Sequence, residues 1–435
     1  MWFKEPKYAW FIIGFLWVVG FLGSVGRIIV QYYQEPISES LGITRGFIGY
    51  AWSASILIGS VCAPLGGWLT DRFGFKATMM AGSAMGVVSA TVITTFQHPA
   101  GYFIGFGVLG GLSGIGATTS YVIVTQWFRH HRAKALMIIG SASSIGLAAI
   151  TPIFVRNDSW LTWTIAYRIS ITIGLISLPL LWLVLKENRS RERETAQEAA
   201  VSIDAEQRRH EEDRTEDSRA GGKAGWWKSA KTLSGYARNA TVMTVIFALF
   251  TCGFSMGTVE MHLMAIQQTA HVSHSMFIAS LSILGVLELV GGFVFAALLD
   301  RMPRALALSC LYFIRTIAFA LLFAQFHLSP VLFTLIFGAT YLGAIPGGIL
   351  LAGESLRTKS IGLQTGILLL FHQLGGVAAA NVGGLNYDLF HNYQILIAVN
   401  VALSLMSGAG YILVHRRKRT GLNVGGTRIG MAGRG

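Results

Sequence analysis

The sequence predicts an all-α membrane protein of twelve transmembrane helices arranged as two pseudo-symmetric six-helix halves. Three observations predict it. First, 53% of the 435 residues are hydrophobic and only 13% charged, with a mean hydropathy of +0.55, a composition that a water-soluble globular domain does not carry. Second, crossing ~30 Å of hydrocarbon takes about 20 apolar helical residues. Twelve runs approach that length: 8–32, 46–69, 77–96, 102–126, 135–155, 163–185, 241–266, 276–299, 306–326, 330–352, 361–384 and 394–414. Third, a short signature occurs twice about half a chain apart. It reads Leu69-Thr70-Asp71-Arg72-Phe73-Gly74-Phe75-Lys76 after the second run and Leu298-Leu299-Asp300-Arg301-Met302-Pro303-Arg304 after the eighth. The repetition marks a duplicated half.

The first half then comprises residues 1–185 and the second residues 241–414. The first apolar run is longer than the core of a cleavable leader and leads directly into the second, so it is expected to stay. Between the halves, residues 186–240 hold 12 basic and 11 acidic side chains and almost nothing apolar before Trp226. Such a segment cannot bury a core and reads as a cytoplasmic linker, with Trp226, Trp227, Lys228 and Lys231 forming an interfacial stretch. Residues 415–435 form a basic cytoplasmic tail that anchors at lipid headgroups.

The net charge of +13 could point to nucleic acid, but its distribution speaks for topology. With both termini inside, 29 of the 34 Lys and Arg residues fall on the cytoplasmic side, the bias that orients membrane helices. No nucleic-acid partner is expected. Cys62, Cys252 and Cys310 lie inside apolar runs without metal spacing and read as packing residues. No metal or other cofactor is implied, and no nucleophile–base–acid set supports an enzyme.

Glycine is expected to do much of the packing. Gly107/Gly111 and Gly110/Gly114 in the fourth run are small-xxx-small pairs, answered in the fifth by Gly140, Ser141, Ser143, Ser144 and Gly146. Pro346-Gly347-Gly348 predicts a kink in the tenth run.

A charged group near the bilayer centre is disfavoured by a few kcal/mol on insertion scales, so each such residue needs a partner or a watery cavity. The candidates are Arg27, Glu260, His262, Glu288, Arg315 and His372. Gly20-Phe21 matches Gly253-Phe254 at an offset of 233, and the same offset lays Arg27 on Glu260, placing opposite charges at equivalent positions of the two halves. Arg27 could instead snorkel to the outer interface, and Glu260 could be a solvated helix end. Glu288, roughly 20 Å from the outer end of its run, and Arg315, roughly 14 Å from the inner end of its own, share a depth that allows an ion pair. His262 and His372 could relay protons or serve as interhelix contacts.

The Asp-Arg-x-Gly-x-Lys loop preceded by Gly66 and Gly67 resembles the loop between helices 2 and 3 of the major facilitator superfamily of secondary transporters. The second copy departs from it, with Pro303 in place of the glycine. The resemblance implies that Asp71 with Arg72, and Asp300 with Arg301, latch the halves, Asp71 near Ile361 and Asp300 near Ala135. Leu41-Gly42-Ile43-Thr44-Arg45, Trp127-Phe128-Arg129-His130-His131-Arg132, Phe371-His372-Gln373-Leu374-Gly375-Gly376 and Gly383-Gly384-Leu385-Asn386-Tyr387-Asp388 look like the monocarboxylate transporter branch and its bacterial relatives, including oxalate/formate exchangers. In that branch a basic residue of helix 1 meets the substrate carboxylate, and Arg27 matches it. An acidic residue in helix 8 stands four before an arginine. Glu288 matches the acid, but Gly292 replaces the arginine, and the basic residues that the exchangers carry in helices 8 and 11 have no equivalent.

The expected function is proton-coupled transport of a small organic anion, a monocarboxylate, by alternating access in the cell membrane, with a single chain as the working unit. Arg27 would hold the anion, with Tyr121, Tyr341 and His372 lining the cavity. Glu288 would couple protons, with Glu260, His262 and Arg315 as further candidates. Export of amphipathic or drug-like compounds, or a non-transporting sensor or assembly role, are the alternatives.

Overall fold

A computed structural model describes residues 5–128, 131–186, 239–355 and 361–429. The linker lies outside them apart from its first and last residues, as do residues 430–435. The side chains of Asp71, Tyr121 and Asp300 are also outside the described set, although their backbones are helical.

In the first half, α1 (Lys7–Tyr32) leads through the short α2 (Gln34–Leu41) into α3 (Arg45–Phe73), followed by α4 (Phe75–Thr95). Next comes the composite α5 (Pro99–Tyr102, Phe103–Leu109, Gly110–Leu112, Ser113–Thr118 and Thr119–Trp127), then α6 (Arg132–Arg156) and α7 (Trp163–Val184). The second half opens with α8, made of Ala240–Gly257, a π turn Thr258–His262 and Leu263–Thr269. It continues with α9 (His274–Arg301), α10 (Arg304–Phe323), α11 (Ser329–Gly338), α12 (Ala344–Ser355), α13 (Ile361–Phe390) and α14 (Gln394–Ile429). Among the described residues, ten helices are long and apolar enough to cross a membrane, and an eleventh if the bent pair α2–α3 is one span. The remaining run of the expected twelve is the broken pair α11–α12.

That break corrects one expectation. It lies at residues 339–343, one turn before Pro346, which sits inside the first turn of α12. A proline needs no N–H partner in a first turn, but its ring clashes with the carbonyl four residues back, here Leu342, so the chain parts just ahead of it. The last helix also continues past residue 414 to Ile429, carrying the basic run His415 to Arg419 in helical form.

Helix starts follow local chemistry. The hydroxyls of Thr44 and Thr162 accept from the N–H three residues on, and Asn239 accepts from Thr241 and Val242. Gly74 turns the chain between α3 and α4 at φ +86°, a conformation that favours glycine and explains that position of the first signature. In the second copy Met302 is extended instead, at φ −134°.

Glycines let the helices close. A Cβ on Gly111 would lie 2.7 Å from Ile58, and one on Gly114 2.9 Å from Gly59, so α5 packs its small face on α3. It also meets α4, where a Cβ on Gly82 would lie 2.8 Å from Gly116. The small residues of α6 were expected to answer α5. Gly146 instead packs on Ser24 of α1, and Ser144 faces α9. Cys62 and Cys252 are buried, while Cys310 lies on an exposed face.

The apolar core is unevenly divided. At the end of the bundle away from the termini, called distal here, one cluster holds residues of both halves, including Ile28, Ile48, Phe154, Met261, Leu281 and Ala380. Toward the terminus side it splits. Val242, Leu249, Leu308 and Leu351 form a cluster within the second half, and two smaller ones, around Leu16 and Leu181 and around Ile13 and Phe128, lie within the first.

Candidate functional site

Where α1 and α8 face each other across the two halves, the guanidinium of Arg27 meets the carboxylate of Glu260, Nη2 to Oε1 at 3.3 Å. Each side chain keeps about a third of its surface exposed, 31% and 29%, so the pair faces open space rather than packed protein. The hydroxyl of Tyr341 donates to the same Oε1 at 2.6 Å. Three residues from three segments thus converge on one oxygen. The backbone presents two of them by irregularity: Glu260 lies in the π turn of α8, and Tyr341 in the break between α11 and α12. Such interruptions expose side chains and backbone at functional sites in membrane helices.

Glu288 is 2% exposed. Its Oε2 accepts from Ser144 Oγ at 2.8 Å across the interface between halves, and its Oε1 has no hydrogen-bond partner. The expected ion pair with Arg315 is not formed. Arg315 is wholly buried and donates from Nε to Thr340 Oγ1 at 3.3 Å and from Nη2 to the carbonyls of Thr340 at 2.9 Å and Tyr341 at 3.1 Å. Spacing along the helices allowed the pair, but the two side chains have different neighbours, Ser144 for Glu288 and the residues Thr340 and Tyr341 for Arg315.

Each histidine takes an interhelix contact. His262, 0% exposed, bonds through Nε2 to the Ala380 carbonyl at 3.1 Å, and its ring lies 5.4 Å from that of Tyr393. His372 places Nε2 3.4 Å from Met256 Sδ, whose sulfur also lies 3.7 Å from Cys252 Sγ. Arg72 and Arg301 are exposed, and Arg72 lies over Trp68 at 5.4 Å. The side chains of Asp71, Asp300 and Tyr121 lie outside what is described, so the contacts expected of them near Ile361 and Ala135 are not observed, although Ala135 itself is buried at the start of α6.

A second junction was not singled out from the sequence as a site. The carboxylate of Asp388, near the end of α13, accepts from the backbone N–H of Arg45 at 3.0 Å and of Gly46 at 2.8 Å, capping the first turn of α3. There the orphan amides and helix dipole favour negative charge. Arg45 is 4% exposed: its guanidinium stacks on Tyr387 at 3.6 Å, donates to Tyr393 Oη at 3.0 Å and pairs with Glu35 at 3.4 Å. Burial pushes the Tyr393 phenol up to about 12 against the lowering effect of Arg45, so it accepts as a neutral hydroxyl. Two of the quoted family-like motifs, Leu41 to Arg45 and Gly383 to Asp388, therefore meet in space. Below them Asn381 donates to Ser53 at 3.1 Å, and nearby Gln34 donates to the Met261 carbonyl and Gln268 to the Tyr32 carbonyl at 3.1 Å.

The sequence profile described as Major Facilitator Superfamily matches residues 16–380. A Bacillus subtilis protein described as the uncharacterized MFS-type transporter YcxA is 28% identical over 411 residues, spanning 91% of this chain and 92% of the relative. An Escherichia coli D-galactonate transporter is 30% identical over 184 residues, 40% of each chain, and monocarboxylate transporter 12 of Mus musculus is 22% identical over 401 residues, 85% of this chain and 79% of that one. The crystal structure of a D-xylose-proton symporter superposes with a TM-score of 0.69 at 15% identity, covering 93% of this chain and 97% of its own, a likeness of fold.

Proposed function

The chain belongs to the Major Facilitator Superfamily, and we propose that this member carries a small organic carboxylate together with protons by alternating access of its two halves. The observation that carries the reading is the Arg27–Glu260 pair, one partner from each half, partly exposed and held by Tyr341. A guanidinium inside a membrane needs an anionic partner, because a desolvated cation left alone costs several kcal/mol. Glu260 supplies that partner at rest. When Glu260 takes a proton its charge is lost, and a substrate carboxylate becomes the group that satisfies Arg27. The planar fork of the guanidinium suits a carboxylate, which it can grip through two N–H groups. Proton and anion then bind as a pair, which is the logic of symport.

Relatives support the substrate class. Their names include D-galactonate, galactarate/D-glucarate and monocarboxylate transporters and an oxalate:formate antiporter, whose substrates share the carboxylate. Glu288, with one oxygen unpartnered, is a second proton acceptor, and His372 adds to the polar lining, where Tyr121 is expected from the sequence alone. The charge bias puts the terminus side in the cytoplasm and the chain in the cell membrane. The sealed distal end is then the outer face, and this state faces inward. The Asp71/Arg72 and Asp300/Arg301 loops hold the opposite, outward-facing state. One chain contains both halves of the site and works as a monomer.

Uptake into proteoliposomes, with acid outside, tests the reading on sugar acids, short monocarboxylates, oxalate and neutral sugars. One carboxylate class should accumulate while neutral analogues do not. Arg27→Ala should lose both accumulation and exchange. Glu260→Gln should keep exchange and lose accumulation driven by the pH gradient. Transport by Arg27→Ala with an unchanged KM would overturn the carboxylate role. Retained uphill uptake by Glu260→Gln would move the coupling to Glu288.

A further inference from the structure

Arg315 has no part in the transport cycle described above, although a wholly buried guanidinium is among the costliest groups a membrane protein can hold. It lies inside the second half, with the Phe337 ring 5.2 Å and the Tyr312 ring 5.6 Å from Cζ. The bonds of its Nε and Nη2 go to one place, the break at residues 339–343, while Nη1 has no hydrogen-bond partner. There α11 has stopped and α12 has not begun: the carbonyls of Phe337 and Gly338 take turn bonds from the N–H groups of Thr340 and Tyr341, which leaves the carbonyls of Thr340 and Tyr341 themselves for a side-chain donor. Away from water an unsatisfied carbonyl is strongly disfavoured. A guanidinium presents five donors in a rigid plane and spans two carbonyls and a hydroxyl at once, whereas an ammonium is a point charge on a flexible stem. Arg315 does this for Thr340 O, Tyr341 O and Thr340 Oγ1, and the Thr340 hydroxyl in turn donates to Phe337 O at 2.8 Å. The residue whose carbonyl Arg315 grips, Tyr341, is the one whose hydroxyl holds Glu260.

We propose that Arg315 is a positioning residue, which fixes the α11–α12 break so that the Tyr341 hydroxyl stays on Glu260 and thereby sets how readily Glu260 releases Arg27. The proposal rests on the Arg27–Glu260 site as read above, but its test needs no substrate. A hydrophobic carbodiimide adds to protonated carboxyl groups, and mass spectrometry of the purified protein reads Glu260 and Glu288 on separate peptides. Tyr341→Phe removes the bond directly, while Arg315→Lys and Thr340→Val loosen the break from which it is made. Each should raise labelling of Glu260 several-fold and leave Glu288 unchanged. Adding Arg315→Lys to Tyr341→Phe should change Glu260 labelling less than about 2-fold further, because contacts acting through one bond do not add.

The proposal is overturned if Arg315→Lys and Thr340→Val label like the wild type while Tyr341→Phe rises. It is equally overturned if the single effects multiply in the double variant, or if Glu260 and Glu288 rise together, the mark of general loosening. Thr340→Val removes only a hydroxyl and keeps the test open should Arg315→Lys fail to fold. If no carboxylate is transported but the labelling pattern holds, the positioning role stands and the substrate reading falls; the reverse result separates them the other way.

Discussion

The two ends of the bundle are built differently. At the distal end the halves share one apolar core, α3 and α13 touch along glycine and alanine, and Asp388 of one half caps a helix of the other. At the terminus side the described core residues fall into separate clusters, none holding residues of both halves. The described ion pair there, Arg304 with Glu354, joins α10 to α12 within the second half. On the alternating-access reading proposed above, the difference marks the distal end as the closed one and α3 and α13 as the helices whose contact has to part. Their distal contact consists of close backbone packing, Gly49 on Ala380 and Gly384 on Gly46, and of the Asp388 carboxylate on the first turn of α3.

The largest effect expected comes from filling that contact. A Cβ on Gly49 would lie 2.6 Å from the Ala380 carbonyl oxygen, with backbone rather than a yielding side chain in its way. Gly49→Val should hold the distal end open, reducing transport by about 100-fold, a barrier change of ~2.7 kcal/mol, while substrate binding persists. Gly67→Val, on the same helix toward the terminus side and with nothing within 4 Å of its Cβ position, should leave transport near wild type. The readout is labelling of Ser53→Cys by a membrane-impermeant thiol reagent, in a background without Cys62, Cys252 and Cys310. Ser53 is buried at the α3–α13 contact, so its reactivity should rise with Gly49→Val and not with Gly67→Val. Equal labelling in the two variants would mean that this packing does not control the distal opening.

Much of this architecture was legible in the chain, and the reasons are specific. The bilayer fixes helix length, so runs of hydropathy locate the spans. Duplication leaves a pseudo-two-fold axis, and residues related by such an axis and lying close to it must face each other. That is why an offset of 233 residues led from Arg27 to Glu260 as a matched position, and why the structure joins them. Glu288 and Arg315 show the limit of the same reasoning. Residue spacing gives height along a helix, but the azimuth about its axis depends on tilt and packing, and Glu288 finds Ser144 while Arg315 finds the α11–α12 break. The break itself is displaced from Pro346-Gly347-Gly348 because a proline disrupts the turn before it. The cap on α3 was illegible for another reason. Arg45 and Asp388 lie 343 residues apart, and no local pattern announces that an acid near one helix's end will serve another helix's start.

A smaller effect should follow from weakening the cap without touching the packing. Asp388→Asn keeps shape and an acceptor oxygen but removes the charge from the first turn of α3, where two backbone amides converge on it. A charge-assisted bond to a helix N-terminus is worth about 1 kcal/mol, up to ~2 when partly buried. Ser53→Cys labelling should therefore rise about 5- to 30-fold as the distal end opens more often. The Arg45 cage supports the same corner, so Arg45→Lys, which gives up the planar stack on Tyr387, should add to the effect of Asp388→Asn by less than its effect alone, since both act on one turn. Labelling that stays at the wild-type level in Asp388→Asn would leave the closure to the packing alone.

The smallest shift should come from the opposite end and carry the opposite sign, which makes it the sharpest test of the comparison. If Asp71 serves the start of α13 in the outward-facing state as Asp388 serves the start of α3 in this one, then α3 and α13 carry reciprocal clasps, each helix ending in the carboxylate that caps the other's first turn. Asp71→Asn would destabilise the state in which the distal end is open, by about 0.3 to 1 kcal/mol for a solvent-facing charge at a helix N-terminus, a factor of roughly 2 to 5 in population. Ser53→Cys labelling should fall by that factor, whereas Asp388→Asn raises it. In the double variant the two changes should nearly add in free energy, because the clasps lie at opposite ends of the helices and share no partners. Labelling that rises in Asp71→Asn would mean that the first signature loop stabilises the closed distal end after all, and the reciprocal arrangement of α3 and α13 would have to be abandoned.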